Sequence, residues 1–285
     1  MRGGPLPLLS DVSAGAEFKL DDQAFQQIRA LIEQRAGIQL SETKRSMVYN
    51  RLARRLRETG APSFTDYLAD LQRPGSAEWQ PFINALTTNL TAFFREEYHF
   101  PVLADFLRTA GAGRRTINIW CAAASTGQEP YSIAMTAIEA LGPRPSVRIL
   151  ASDIDTEVLA TARDGVYAEE TVNRLSTDRL HSFFLRGRAQ RSGLVRVRPE
   201  VRALVTFQQF NLIEPGWSLN ETFDVVFCRN VMIYFDRETR TRLIENFHRV
   251  MSPGGLLFVG HSESFSESRT LFTLQGRTVY QRVGG

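Results

Sequence analysis

At 285 residues the chain has room for one large domain, or a large and a small one. With 43% hydrophobic and 23% charged residues it has the composition of an ordinary globular protein, not of a disordered or fibrous one. A formal charge of +3 is too small for general polyanion binding, which argues against a nucleic-acid partner, and no apolar run of roughly 18 residues exists to insert into a membrane.

The first stretch, MRGGPLPLLSDVSAGA, has too short an apolar run and too little charge for a signal peptide. Residues 1–16 are therefore expected to form a disordered tail, and the protein to be cytoplasmic. From 17 to 88 the pattern is helical, which predicts a small all-α N-terminal domain. LDDQAFQQIRALIEQRAG sets Phe25, Ile28, Leu31 and Ile32 on one face and stops at Gly37. A second helix is expected over 42–58, with Ser41 as its cap and Gly60 as its end. Ser63 and Asp66 make a capping-box-like start to a third helix over 64–72. SAEWQPFINALTTNL then resumes the helical period.

On the second helix, Lys44, Arg51 and Arg55 cluster beside the apolar arc of Val48, Tyr49, Leu52 and Leu56, with Arg54 a little further round. Lys44 to Arg57 holds six basic residues and no acid, so the stripe reads as locally uncompensated charge. It is either a solvated helix face or a docking surface for an acidic partner.

From 116 onward strands alternate with helices. Strands are expected at 116–122, 147–154, 203–210, 223–229 and 254–261, and helices at 130–141, 156–163 and 237–250. This predicts an α/β fold with a mostly parallel sheet, helices on both faces, spanning 89–285. Between 165 and 202 the alternation lapses. A small β-subdomain is expected as an insertion at about 186–206, where GLVRVR turns Val195 and Val197 to one face and Arg196 and Arg198 to the other. FTLQGRTVYQRV reads as a hairpin turning around Gly276. Cys121 and Cys228 stand at strand ends and suit buried free thiols in a reducing compartment. The four histidines show no metal-ligand spacing, so no metal is expected.

The stretch TINIWCAAASTGQEP (116–130) carries the ligand signal. A strand ends in a loop of small residues that reopens as a helix, at the place where open parallel sheets bind ligands. The loop has one glycine, Gly127, and no lysine, which fits neither a nucleoside-triphosphate cradle nor a dinucleotide fingerprint. The helix start suits a single carboxylate, Glu129 an ammonium group, and Asp153, at the end of the second strand, ribose hydroxyls. Those three groups together describe S-adenosylmethionine. Asp153 can equally be read as the cap of the following helix.

The runs NALTTNLTAFFRE (84–96), WCAAASTGQEPYSIAM (120–135), ASDIDTEVL (151–159), GLVRVR (193–198), FCRNVMIYFD (227–236) and GGLLFVGHSESF (254–265) closely resemble the chemotaxis receptor methyltransferases, which methylate glutamate side chains of chemoreceptors. The resemblance implies a helical domain followed by an S-adenosylmethionine-binding sheet with an inserted β-subdomain. It also implies cofactor contacts at Asn89, Thr91, Arg95, Glu129, Asp153, Asn211, Leu212, Arg229 and Asn230. Gln128 departs from the second glutamate expected beside Glu129. The charge of Lys44, Arg51, Arg54 and Arg55 suits a receptor helix presenting glutamates, and the resemblance implies docking of a receptor C-terminal tail on the insertion with Arg196 and Arg198, the alternative being a flap whose arginines only keep a strand edge from aggregating. S-adenosylhomocysteine would be the spent product.

Methylating a glutamate carboxylate needs no general base, because a side chain with a pKa of about 4.3 is ionised at neutral pH. Alignment is the main requirement. Arg95 could hold the substrate's or the cofactor's carboxylate, or only pair with Glu96 at the surface. Tyr234 could present its hydroxyl near the transfer axis, or be a partly buried aromatic bonded to backbone. A nucleic-acid methyltransferase would carry a proline turn after Asn230, and none follows. The expected function is protein-glutamate O-methylation by a monomer, with a non-catalytic S-adenosylmethionine-binding regulator as the alternative.

Overall fold

The computed structural model describes residues 17–111, 116–219, 221–263 and 270–284; the expected tail at 1–16 lies outside them. The described residues up to Gln34, with Leu40–Leu86, form one unit; Arg35–Gln39 with Thr87 onward form the other.

In the first unit, α1 (Asp22–Ala36) buries Phe25, Ile28, Leu31 and Ile32, the face its spacing sets apart. A 3-10 turn at Glu42–Lys44 leads into α2 (Arg45–Thr59), which buries Val48, Leu52 and Leu56. Ser41 precedes that turn but makes no capping bond; its hydroxyl meets Thr43 Oγ1 at 2.7 Å instead. Gly60, at φ 72°, ends α2 in the left-handed conformation that glycine adopts without penalty. Ser63 caps α3 (Phe64–Leu71) by accepting the amide of Asp66 at 3.1 Å and donating to that side chain at 2.6 Å. α4 (Trp79–Leu86) completes the helices, burying Phe82, Ile83 and Leu86.

The basic stripe on α2 is not uncompensated. Arg54 pairs with Glu58 at 2.8 Å, and Arg55 pairs with Glu78 at 2.8 Å and also with Glu58. Arg51 donates to the carbonyl of Ala85 at 3.3 Å. Glu58 sits just beyond the counted stripe and Glu78 in the turn before α4, where a count confined to 44–57 misses them. Lys44 remains exposed.

In the second unit, the described residues form a seven-stranded sheet. It contains β1 (Ile117–Cys121), β2 (Val147–Asp153), β6 (Val205–Gln209), β7 (Phe223–Cys228), β8 (Met251–Val259), β9 (Phe272–Gly276) and β10 (Val279–Arg282), in the order β6-β2-β1-β7-β8-β10-β9. Neighbours from β6 to β8 are parallel; the closing pair β9 and β10 is the antiparallel hairpin expected around Gly276. Each core strand feeds both faces. Ile117, Ile119 and Cys121 join the core under α5 (His99–Gly111) and α6 (Gln128–Leu141). Trp120 joins the opposite core with Phe223 and with Phe247 of α10 (Arg237–Val250), and its indole nitrogen donates to Ser152 Oγ at 2.9 Å. Burial of both faces is the condition for a parallel sheet.

α7 (Thr156–Asp164) follows β2, and the insertion comes after it. It is a second, antiparallel sheet of β3 (Val166–Ala168), β4 (Phe184–Arg186) and β5 (Leu194–Val197), ordered β3-β5-β4, with the short helices α8 (Thr177–Phe183) and α9 (Pro199–Arg202). The insertion thus begins at Val166, well before 186, and Val205–Gln209 belongs to the large sheet. β3 and β4 are three residues each, too short to show alternation in sequence. Val195 and Val197 are buried and Arg196 exposed, as the alternation predicts, while Arg198 is half-buried and donates to the carbonyl of His181 at 3.1 Å. β5 is the central strand, so the free edges belong to β3 and β4. No helix among the described residues is long and apolar enough to cross a membrane.

Candidate active site

Strand order reverses between β1 and β7, and the carboxyl ends of β1, β2, β6 and β7 open there into a cleft of about 840 Å3. Asn89, Thr91, Arg95, Glu129, Asp153, Asn211, Leu212, Arg229, Asn230 and Tyr234 all line it. Arg196 stands on β5 of the inserted sheet and Arg198 at the start of α9 instead, and Lys44, Arg51, Arg54 and Arg55 belong to the helical unit. Gln128 does not line the cleft; its amide oxygen accepts from Thr126 Oγ1 at 2.8 Å. Among the described residues there is no cluster able to hold a metal ion.

Asp153 and Glu129 are the buried acids of the cleft lining, and among the described residues no cation pairs with Asp153. It accepts the amides of Ser125 at 2.8 Å and Asp155 at 3.0 Å. The helix cap is Asp155, which accepts the amides of Glu157 and Val158 at the start of α7. The other oxygen of Asp155 takes Thr87 Oγ1 at 2.6 Å and Asn89 Nδ2 at 2.8 Å, tying the Thr87–Arg95 segment to the site. Asp153 is thereby free of capping and faces the cleft. Burial pushes its carboxyl up to about 6, although the two backbone amides pull the other way.

A charge cluster occupies the wall between the α6 start and the end of β7. The Arg229 guanidinium is 1% exposed and pairs with Glu129 at 2.5 Å and Glu96 at 3.3 Å, and it also donates to the carbonyl of Arg95 at 2.6 Å. Burial disfavours its charge, but the two carboxylates more than offset this and raise its pKa. Glu96 resists burial through His261, Arg229 and Asn230 and is held down at about 2. Cys121 donates its thiol to the second oxygen of Glu129 at 3.3 Å, and burial with that carboxylate raises its pKa well above a free thiol's. Arg229 Nε has no hydrogen-bond partner among the described residues.

Arg95 makes no ion pair with Glu96; it donates through Nη1 to the carbonyl of Leu90 at 2.7 Å and remains half-buried at the cleft. Tyr234 lies on the 3-10 turn Met232–Tyr234, half-buried, and no described residue bonds its hydroxyl. Asn211 donates to the carbonyl of Arg35 at 2.9 Å, and Leu212 is 7% exposed.

The glycine loop is shaped by close packing. Gly127 has φ 98°, and a Cβ there would lie 2.8 Å from the Tyr167 hydroxyl and 2.9 Å from Ala162 Cβ. That hydroxyl, from β3 of the insertion, donates to the carbonyl of Thr126 at 2.7 Å. Gly127→Ala is expected to lose about 1–2 kcal/mol from left-handed strain alone, before any clash. A denaturant midpoint equal to the parent's would contradict this packing.

Several cleft features have only weak sequence signals. Ser125 sits at φ 49° and Asn230 at φ 59°, strained positions with no composition signature. Glu96 enters above only as a surface partner for Arg95, and Asp155 and Glu263 only as letters of quoted motifs. Ala122, Phe210 and Val231 supply apolar wall.

Comparison with known proteins now gives the class. Residues 89–281 match the CheR methyltransferase, SAM binding domain, and residues 23–87 the CheR methyltransferase, all-alpha domain. The sheet unit is an S-adenosylmethionine-binding methyltransferase domain. The chain belongs to the CheR methyltransferase family, and its cofactor is S-adenosylmethionine. It is 54% identical to the chemotaxis protein methyltransferase of Klebsiella aerogenes over 263 residues, 92% of this chain and 90% of that one. Identity to the Escherichia coli K12 chemotaxis protein methyltransferase is 51% over 263 residues, 92% of this chain and 91% of that one. Chemotaxis protein methyltransferase 2 of Pseudomonas aeruginosa is 50% identical over 278 residues, 97% of this chain and 99% of that one.

Proposed function

We propose that the protein transfers the methyl group of S-adenosylmethionine to glutamate side-chain carboxylates of chemoreceptors, forming methyl esters in the cytoplasm. The observation that carries the substrate class is the donor set at the cleft: among the described residues, a tyrosine hydroxyl that none of them bonds and an arginine with most of its fork unspent. Such donors hold a carboxylate. The cleft acids are otherwise engaged, Glu129 by Arg229 and Asp153 by backbone amides, and an ionised glutamate requires no base to attack.

The residues fit the cofactor. Asp153 accepts ribose hydroxyls, Glu129 receives the ammonium group beside Arg229, and Phe210, Leu212 and Val231 offer an apolar bed for a base. S-adenosylmethionine supplies a methyl group on a positively charged sulfur, activated for displacement. The chain supplies alignment: Arg95 holds the incoming carboxylate, Tyr234 donates at the transfer axis, and the buried walls exclude water.

Tyr234→Phe is expected to lower kcat about tenfold, the worth of one hydrogen bond, while leaving affinity for S-adenosylhomocysteine within about twofold. The substrate reading is tested by transfer of radiolabelled methyl to receptor cytoplasmic fragments, with the label released as methanol by mild base. Alkali-stable label excludes an ester; cofactor binding with no transfer to any receptor supports a regulator without turnover.

Receptor recognition follows from exposed Lys44 and Arg196 as cationic contacts, with Arg51, Arg54, Arg55 and Arg198 contributing only after exchange of their present partners. A receptor tail peptide would add as a strand to a free edge, β3 or β4. A titration of the full chain with such a peptide that shows no saturable signal removes this part of the reading.

A further inference from the structure

Glu263 is 5% exposed, and no cation among the described residues pairs with it. Among the described residues its carboxylate accepts four hydrogen bonds, all from backbone amides. Oε1 accepts Val231 at 3.0 Å and Met232 at 2.8 Å; Oε2 accepts Asn230 at 2.8 Å and Gly260 at 2.6 Å. A carboxylate is a costly residue to bury, and folding alone would be served by an apolar side chain. What it holds is unusual backbone. Asn230 stands at φ 59°, and the three successive amides converge only because the chain turns sharply there, between the end of β7 and the turn that carries Tyr234. Gly260 completes the device. A Cβ at that position would lie 2.9 Å from the Asn230 amide nitrogen and 2.8 Å from Glu263 Oε2, and closer still to the Asn230 side chain, so only glycine lets β8 approach.

We propose that Glu263 is a positioning residue for methyl transfer: through the amides of residues 230–232 it fixes Asn230 and Tyr234 at the cleft without touching cofactor or substrate. Gly260 and Glu263 form one unit, the glycine admitting the neighbouring loop and the carboxylate clamping it. This inference rests on the reading of the cleft as the methyl-transfer site.

The test uses the full chain carrying Glu263→Gln, which replaces one acceptor oxygen by an NH2 group and leaves two amides orphaned. Amide exchange by mass spectrometry on the cofactor-free protein is expected to quicken about tenfold or more at 230–232, with β7 amides near parental rates. In methyl transfer, Glu263→Gln is expected to cost about tenfold or more in kcat/KM alone but under about threefold when Tyr234→Phe is already present, because the two act through one group. Parental exchange at 230–232, or a loss that multiplies fully with Tyr234→Phe, overturns the proposal. If Glu263→Gln does not fold, Gly260→Ala applies the same strain with the carboxylate intact, and parental exchange in that variant overturns it equally. A parent enzyme that transfers no methyl to any receptor would defeat the substrate reading, while the exchange result would still decide the role of the loop.

Discussion

Asp153→Asn is expected to raise the dissociation constant for S-adenosylhomocysteine by about 100-fold or more. Two hydroxyl bonds to a buried, charged acceptor are worth about 3 kcal/mol together, and that converts to a factor of about 100. The amide variant also turns an NH2 group toward the amide of either Ser125 or Asp155, setting donor against donor. Calorimetry on the pure protein measures the effect, and an affinity within about fivefold of the parent's would mean that Asp153 does not hold the ribose.

The same carboxyl predicts a pH dependence. Burial places its pKa at about 6, above its ordinary value of 3.8. A group raised on folding contributes stability that is fully present below 3.8 and is lost as pH climbs through about 6. Ribose hydroxyls need the ionised acceptor, so below that pH the cofactor must displace a proton and its affinity falls, by up to about tenfold per unit. Asp153→Asn should flatten this profile. Acid works in the opposite sense on Glu96, whose pKa is depressed from 4.5 to about 2. Its contribution is present above 4.5 and disappears as pH falls toward that lower value.

Arg229→Met is expected to be the most destabilising single change at the site, by about 3–5 kcal/mol. It strands Glu129 and Glu96, each with a side chain only 10% exposed, without their shared counter-charge. Unfolding by urea should show a lower midpoint with an unchanged slope, and adding Glu129→Gln should recover part of the loss because one stranded charge is then gone. A midpoint indistinguishable from the parent's would show that water reaches and solvates the two acids.

The sequence makes the skeleton of this site legible because strand ends and motif letters coincide. The alternation of INIWC and VRILASD places Cys121 and Asp153 at the same end of neighbouring parallel strands, and the pairing of Cys121 with Ala151 bears this out. Local pattern cannot distinguish one acid of SDID from the other. Asp155, two residues on, takes the capping amides, and this fact depends on where α7 begins. The Arg229 cluster is illegible for a related reason: its carboxylates come from positions 96 and 129, far apart in the chain, and only the fold joins them. The stripe on α2 fails as a charge argument because Glu58 lies one residue past the counted window and Glu78 twenty residues further on, in the turn before α4. The width of the insertion is hidden by three-residue strands, which offer no period to read. Glu263 is hidden most completely, since its partners are backbone amides and any residue type would display the same ones.

The hydroxyl of Tyr167 reaches out of the inserted sheet to brace the turn at Thr126 and Gly127, which runs between Ser125 and Glu129 of the cleft lining. A shortened chain lacking 166–202 would therefore lose a brace on that turn as well as a small sheet. The graft thus props a loop of the larger sheet, and swapping it between relatives is expected to shift the Ser125–Glu129 turn beside the cleft, measurable as a change in S-adenosylhomocysteine affinity.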